Sequence, residues 1–113
     1  MPNIVMPGRI RRAPEKKTPR TCPAHRAWVR KHRCCVLGCT RLPVECAHVR
    51  QGTDGGVGLK PSDRWVISLC SHHHAEQHRI GESRFAQRYD LDLIALACEF
   101  ARRSPYWQHL VPQ

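Results

Sequence analysis

The alternation of apolar and polar residues predicts two short strands in the middle of the chain. Residues 43–50 alternate weakly, with Val44, Cys46 and His48 on one face, and residues 64–69 have the composition of a second strand. The stretch between them, residues 51–63, is rich in glycine and predicts a long loop. The predicted order is therefore strand, loop, strand, followed at once by a helix.

The helix after the second strand is predicted from Cys70 to a stop at Gly81. A short helical turn follows at residues 82–89. Asp90 or Asp92 can cap a last helix that reaches about Arg103, and its broad apolar face must pack on the rest of the fold. Helices thus follow the strand pair and supply much of the core.

A further helix is predicted ahead of the strands, from Pro23 to about His32, with Thr21 or Cys22 at its start. Its apolar face is modest, and the pattern directs His25, Arg26 and Arg30 to solvent or to a phosphate. We expect His25 to be an ordinary surface residue.

Length and cysteine content change this picture, because 113 residues hold one small domain with little core. The seven cysteines are odd in number, and no secretory leader is apparent, so we expect reduced thiols in an intracellular metal protein. No apolar run approaches the length that spans a bilayer, so we expect a soluble protein with no membrane partner.

The formal net charge of +10 makes a polyanion the natural partner. Residues 1–33 hold ten Lys and Arg against Glu15 alone, which favours nucleic acid over a membrane surface. Four prolines among basic residues predict a disordered basic arm at residues 1–20, either a phosphate-binding arm or a solvated tail. The predicted domain spans residues 21–104, and residues 105–113 form a C-terminal tail.

Two ligand pairs lie on different sides of the helix that begins near Cys70. At about 100° per residue, Cys70 and His73 share one side, and His74 and His78 share the adjoining side. Cysteine with histidine at this spacing suits a tetrahedral structural zinc, whereas two histidines suit an open metal site. Neither pair is complete, so further ligands must come from upstream.

The upstream candidates lie in a short cysteine loop with a glycine turn. Cys34 with Cys39, or Cys35 with Cys39, would place two thiolates on one ion, and we favour Cys34. Buried thiols in a hydrophobic turn are the alternative, but they would leave Cys70 and His73 without partners.

Taken as an ordered set, residues 45–49 (Glu-Cys-Ala-His-Val), the glycine-rich loop and Leu69-Cys70 followed by His73-His74 resemble the HNH, or ββα-metal, nuclease family. Within that family the chain is most similar to small phage and prophage members of unknown role, which implies a cytoplasmic location in a bacterial or phage-infected cell. The resemblance implies an α+β fold: a ββα-metal core braced by a zinc knuckle, with flanking helices.

The resemblance also implies roles for individual residues. His48 matches the general base, and Asp63 could orient it in place of the family's asparagine, near whose position Trp65 falls. His74 and His78 match ligands of the catalytic ion, although Ala47 stands where many members carry a further ligand. Zinc-bearing members carry two cysteine pairs, which match Cys34, Cys39 and Cys70, and His73 stands where a fourth cysteine is usual, so the resemblance implies a structural zinc on these four residues.

We therefore expect a metal-dependent endonuclease acting on DNA, with structural Zn²⁺ and a catalytic Mg²⁺, Mn²⁺, Ni²⁺ or Zn²⁺. A zinc-stabilised nucleic-acid-binding module without catalysis is the alternative, and a histidine-rich metal carrier explains less of the chain. Four cations are candidates to contact phosphate: Arg50, Lys60, Arg64 and Arg79.

Overall fold

A computed structural model describes residues 20–56 and 58–110 of the chain. The predicted basic arm lies outside the described residues, except for Arg20. The described elements follow the predicted order: helix α1 (Pro23–Val29), strands β1 (Val44–His48) and β2 (Val66–Cys70), helices α2 (Ser71–Ile80), α3 (Glu82–Tyr89) and α4 (Leu93–Arg103), and a 3₁₀ turn at Trp107–His109.

The two strands form an antiparallel pair in which Val44 lies opposite Cys70 and His48 lies opposite Val66. This register sets the start of α2 beside the start of β1, because β2 runs directly into the helix. The expected α+β fold with a ββα core is thereby confirmed.

The hydrophobic core lies on the face of the sheet covered by α3 and α4. Every residue of β2 is buried, as its short apolar run predicts for a strand covered on both faces. Phe85 from α3 and Ala97 from α4 are fully buried in the same cluster as Ile67 and Leu69. The predicted apolar face of the last helix therefore packs on the strands.

Helix α2 begins one residue later than predicted, because Cys70 ends β2 and caps the helix. The Cys70 sulfur accepts a hydrogen bond from the backbone N–H of His73, so a metal-ligand candidate also defines the helix start. Gly81 ends the helix at φ 90°, a left-handed value that favours glycine. At α4, the side chain of Asp92 provides the cap.

The expectation that His25 lies at the surface is wrong. His25 is fully buried, its Nδ1 lies 2.8 Å from Ser104 Oγ, and its ring stacks on Trp28. Burial lowers the pKa of His25 to about 4, so the ring is neutral at pH 7. A helix with a modest apolar face can still bury a polar residue when a neighbouring segment, here the end of α4, supplies a partner.

The chain after α4 packs against the domain at least as far as Leu110, which is buried. The 3₁₀ turn at Trp107–His109 lies within the segment predicted as a tail. No helix among the described residues is long and apolar enough to cross a membrane.

Candidate metal centres and active-site cleft

Four side chains from three segments converge beside the start of α2, and we call them the Cys₃His cluster: Cys34, Cys39, Cys70 and His73. The Nδ1 atom of His73 lies 3.4 Å from the sulfur of Cys34, 3.6 Å from that of Cys39 and 3.2 Å from that of Cys70. Ligands of a tetrahedral zinc, at about 2.0–2.3 Å from the ion, stand about 3.3–3.8 Å apart. The cluster could therefore hold a metal such as zinc.

The pKa shifts of the cluster residues suit a metal site that releases a proton when an ion binds. Burial raises the pKa of Cys34 to about 11, whereas the backbone N–H of Arg41 lowers the pKa of Cys39. Burial also lowers the pKa of His73, which keeps the imidazole neutral and able to donate its lone pair. Binding an ion must release the proton of Cys34, so affinity rises with pH.

The structure separates Cys35 from this cluster. The sulfur of Cys35 lies 3.5 Å from the hydroxyl of Ser68 on β2, away from His73. His73 also lies near His72 and Glu76, but the carboxylate of Glu76 is held by Arg88 and Tyr89. The cysteine side of His73 is therefore the better metal site.

His74 and His78 lie one turn apart on the adjoining side of α2, with their Nε2 atoms 3.2 Å apart. Two imidazole ligands of one divalent ion, each about 2.0–2.1 Å from it, stand about 3.0–3.4 Å apart. The Nδ1 atom of His74 lies 2.8 Å from Oε1 of Glu45 on β1. We call His74 and His78 the imidazole pair; its spacing fits a shared ion.

His48, at the end of β1, is paired with Asp63 at the end of the glycine-rich loop. The distance between His48 Nε2 and Asp63 Oδ1 is 2.8 Å, and both side chains are largely buried. Because an ionised carboxylate only accepts hydrogen bonds, this contact places the proton of neutral His48 on Nε2 and leaves Nδ1 as its proton acceptor. The contact matches the geometry expected of an orienting residue.

Burial lowers the pKa of His48, and the hydrogen bond and charge of Asp63 partly oppose that shift. Burial alone would raise the pKa of Asp63. Three neighbours together lower it: the backbone N–H of Cys22, the hydrogen-bonded ring of His48 and the positive charge of Arg26. The second oxygen of Asp63 accepts from Cys22 N at 2.7 Å and from Arg26 Nε at 2.8 Å. Asp63 is thus ionised and held at the N-terminus of α1, and His48 is neutral at pH 7.

One open cleft of about 660 Å³ contains both His48 and the imidazole pair. Four cations line the same cleft, one in α1, one directly after it, one directly before the glycine-rich loop and one within that loop: Arg26, Arg30, Arg50 and Lys60. Glu82 supplies the acidic lining, but its carboxylate accepts the backbone N–H groups of Arg50 and Gln51. The cleft is therefore suited to a phosphate-bearing ligand.

Two of the four predicted phosphate contacts lie outside the cleft lining. The guanidinium of Arg64 lies 4.4 Å above the ring of Trp65, and the side chain of Arg79 is 70% exposed and points towards Glu76. Arg50 and Lys60 line the cleft as expected. The ring of Trp65 contacts Arg64, and Asp63 is the residue that contacts His48.

Three residues at the site are not predicted by the sequence pattern: Glu45 beside the cleft, and Cys46 and Gln77 in its lining. Glu45 contacts His74 across two elements, and Cys46 lines the cleft with a pKa raised to about 12 by burial. Gln77 lines it too, and neither polar atom of its buried side chain has a protein partner among the described residues. Only the position of Gln77 between His74 and His78 could have suggested it.

Ala47, the residue before His48 on β1, offers no ligand atom to the imidazole pair. Its side chain is fully buried and packs in the hydrophobic core, on the opposite side of the strand from His48. Position 47 thus adds to the core and offers no ligand atom to the cleft.

Comparison with known protein families gives a match over most of the chain. Residues 16–102 match the model of the family described as "Putative HNHc nuclease", which covers both strands, the Cys₃His cluster and the cleft. Neither a search of curated proteins nor a search of solved structures gave a significant match. With more than three quarters of its length matched, and with the ββα core in place, the chain belongs to the HNH nuclease family.

Proposed function

We propose that the protein is a metal-dependent endonuclease that hydrolyses phosphodiester bonds in DNA, with a structural zinc in the Cys₃His cluster. The observation that carries this proposal is the convergence of His48 and the imidazole pair in one cation-lined cleft. A binding module would need the cations, but it has no use for a neutral, carboxylate-oriented histidine among them.

In the proposed reaction His48 is the general base. Asp63 holds the proton on Nε2, so Nδ1 of His48 takes the proton from a water that attacks the scissile phosphate. The lowered pKa of His48 keeps the ring unprotonated near pH 7, as a base requires. Asp63 remains ionised and stabilises the imidazolium that forms.

The cleft cations bind the substrate backbone on either side of the reacting phosphate. Arg30, Arg50 and Lys60 line the cleft with no salt-bridge partner among the described residues, whereas Arg26 is paired with Asp63. A divalent ion held by His74 and His78 would neutralise the charge that develops on the phosphate and the leaving oxygen. Mg²⁺, Mn²⁺, Ni²⁺ and Zn²⁺ are the candidates.

The test is to incubate the purified zinc-containing protein, with its cleft freed of metal, with supercoiled plasmid across a series of divalent ions. We expect nicked or linear plasmid with at least one ion. His48→Ala should reduce the cleavage rate about 10²- to 10⁴-fold at every metal concentration, with DNA binding retained. His72→Ala, an exposed neighbour outside the cleft lining, is the matched control and should cut normally.

The alternative function is a zinc-stabilised nucleic-acid-binding module, and burial of Ala47 favours it because the cleft ion then has only two imidazole ligands. A protein that binds DNA but leaves the plasmid intact with every divalent ion would establish the binding module and contradict the nuclease.

A further inference from the structure

The carboxylate of Glu45 is the only acidic group that contacts either member of the imidazole pair among the described residues. Oε1 of Glu45 lies 2.8 Å from Nδ1 of His74, and its side chain is 44% exposed at the edge of β1. Glu45 lies opposite Leu69, which is the next-to-last residue of β2, and β2 leads directly into α2. The register of the sheet therefore fixes the distance between Glu45 and His74.

This contact determines which nitrogen of His74 carries the proton. An ionised carboxylate accepts hydrogen bonds and cannot donate one, so the proton of neutral His74 lies on Nδ1. The lone pair is then on Nε2, the atom that lies 3.2 Å from Nε2 of His78. Without the carboxylate, the imidazole would distribute its proton between both nitrogens and would lose its fixed ring orientation.

We propose that Glu45 is a positioning residue of the cleft metal site, which holds His74 in the tautomer that presents Nε2 to a divalent ion. The inference rests on the proposed function, because it concerns the ion that His74 and His78 would share. A carboxylate that accepts from the second nitrogen of a histidine both orients the ring and makes the ligand atom more basic. Two imidazoles from one helix depend on such support because the neighbouring strand position, Ala47, faces the core.

The experiment measures tautomer and metal affinity separately, in the full chain with its structural zinc retained. Nitrogen chemical shifts of the histidine rings report the tautomer of His74 before any ion is added. Calorimetric titration with Ni²⁺ then gives the affinity of the cleft site. Glu45→Ala should remove the preference for the Nδ1–H tautomer and weaken Ni²⁺ binding about 10- to 100-fold.

Glu45→Gln separates positioning from direct ligation, because the amide oxygen can still accept a hydrogen bond from Nδ1 but is a poor metal ligand. We expect this variant to keep the tautomer and to bind Ni²⁺ within several-fold of the unaltered protein. Glu99→Ala on α4, where the carboxylate pairs with Arg102 and Arg103, makes the same change in net charge outside the cleft and should change neither readout.

Unchanged Ni²⁺ affinity in Glu45→Ala would overturn the positioning role while leaving the cleft metal site intact. If Glu45→Gln keeps the tautomer but loses as much Ni²⁺ affinity as Glu45→Ala, then Glu45 binds the ion directly, and the positioning role is overturned. If the unaltered protein binds no ion besides zinc, the proposed nuclease site itself fails, and the tautomer measurement still shows whether Glu45 orients His74.

Discussion

The Cys₃His cluster and the imidazole pair use adjacent residues of one helix, His73 and His74, yet they differ in how complete they are. The cluster draws four ligand atoms from three segments, all within 4.8 Å of one another and mostly buried. The pair offers two nitrogens from a single helix in an open cleft. A complete, closed set suits an ion that holds the fold together, and an incomplete, open set leaves positions for substrate and water.

The largest effect should come from removing one ligand of the closed cluster. Cys70→Ser should abolish tight zinc binding and unfold the domain, because zinc binding contributes about 10–16 kcal/mol in small domains, as much as their entire stability. Zinc per chain by elemental analysis and secondary structure by circular dichroism check this. Cys98→Ser, which alters a cysteine outside the cluster, is the control and should keep one zinc. A folded, zinc-loaded Cys70→Ser protein would contradict the structural role.

The adjacent histidines give the sharpest test of the difference between the two sites. His73→Ala should lose zinc and the fold, whereas His74→Ala should stay folded with its zinc and lose cleavage. Because His74 is proposed to hold the catalytic ion, added divalent metal should partly restore cleavage by His74→Ala but not by His48→Ala. Plasmid cleavage across a metal titration measures this. Equal rescue of both variants would show that their roles are not distinct.

Acid should weaken the closed cluster through proton competition for its ligands, and buried His25 adds a separate penalty. With a folded pKa of about 4 against 6.5 unfolded, His25 binds more protons in the unfolded chain between those values. The contribution of His25 to stability therefore rises with pH between about 4 and 6.5, is constant above that range, and amounts to about 3 kcal/mol in all.

His25→Gln should remove that contribution, since glutamine can still bond to Ser104 but does not titrate in this range. Denaturant unfolding of the two zinc-loaded proteins at pH 4, 5 and 7 gives the slope of the unfolding free energy against pH for each protein. The slope that remains in His25→Gln measures proton competition at the metal ligands. Identical pH dependence in the two proteins would show that His25 does not titrate as its burial requires.

The smallest effect should come from the basic N-terminal segment, which contributes positive charge and contains none of the residues of the two metal sites. Residues 1–19 hold five Lys and Arg, and their removal should flatten the dependence of DNA affinity on salt by up to about 4 in log–log slope. Cleavage at saturating DNA should not change. Replacing the five cations by glutamine keeps the length and should have the same effect. An unchanged slope would mean that this segment does not contact phosphate.

Arg20 should be kept in that deletion because it belongs to the folded domain. Its guanidinium donates to the backbone oxygen of Lys60 at 2.7 Å, and its own backbone oxygen accepts from the N–H of Asp63. The last residue of the predicted basic arm therefore holds Asp63 in place. Deleting Arg20 would disturb Asp63 and, through it, His48.

The sequence by itself determined the order of elements, the two ligand pairs on α2 and the family. These features depend on local spacing: alternation along a strand, 100° per residue along a helix, and glycine at a helix end. Cys70 and His73 could be paired from the sequence because residues three apart on a helix share a side. The requirement that Cys70 and His73 find partners favoured a metal site over buried thiols in the cysteine loop, but it did not distinguish Cys34 from Cys35.

Only the tertiary structure decided which distant residues meet. Glu45 reaches His74, Asp63 joins His48 to Arg26 and Cys22, and His25 is buried against Ser104, 79 residues away in sequence. Such contacts follow from strand register and from how helices pack, and local spacing contains no information about either. Single polar residues such as Glu45 and His25 have the same sequence pattern whether they face water or a partner, so burial and orientation had to come from the fold.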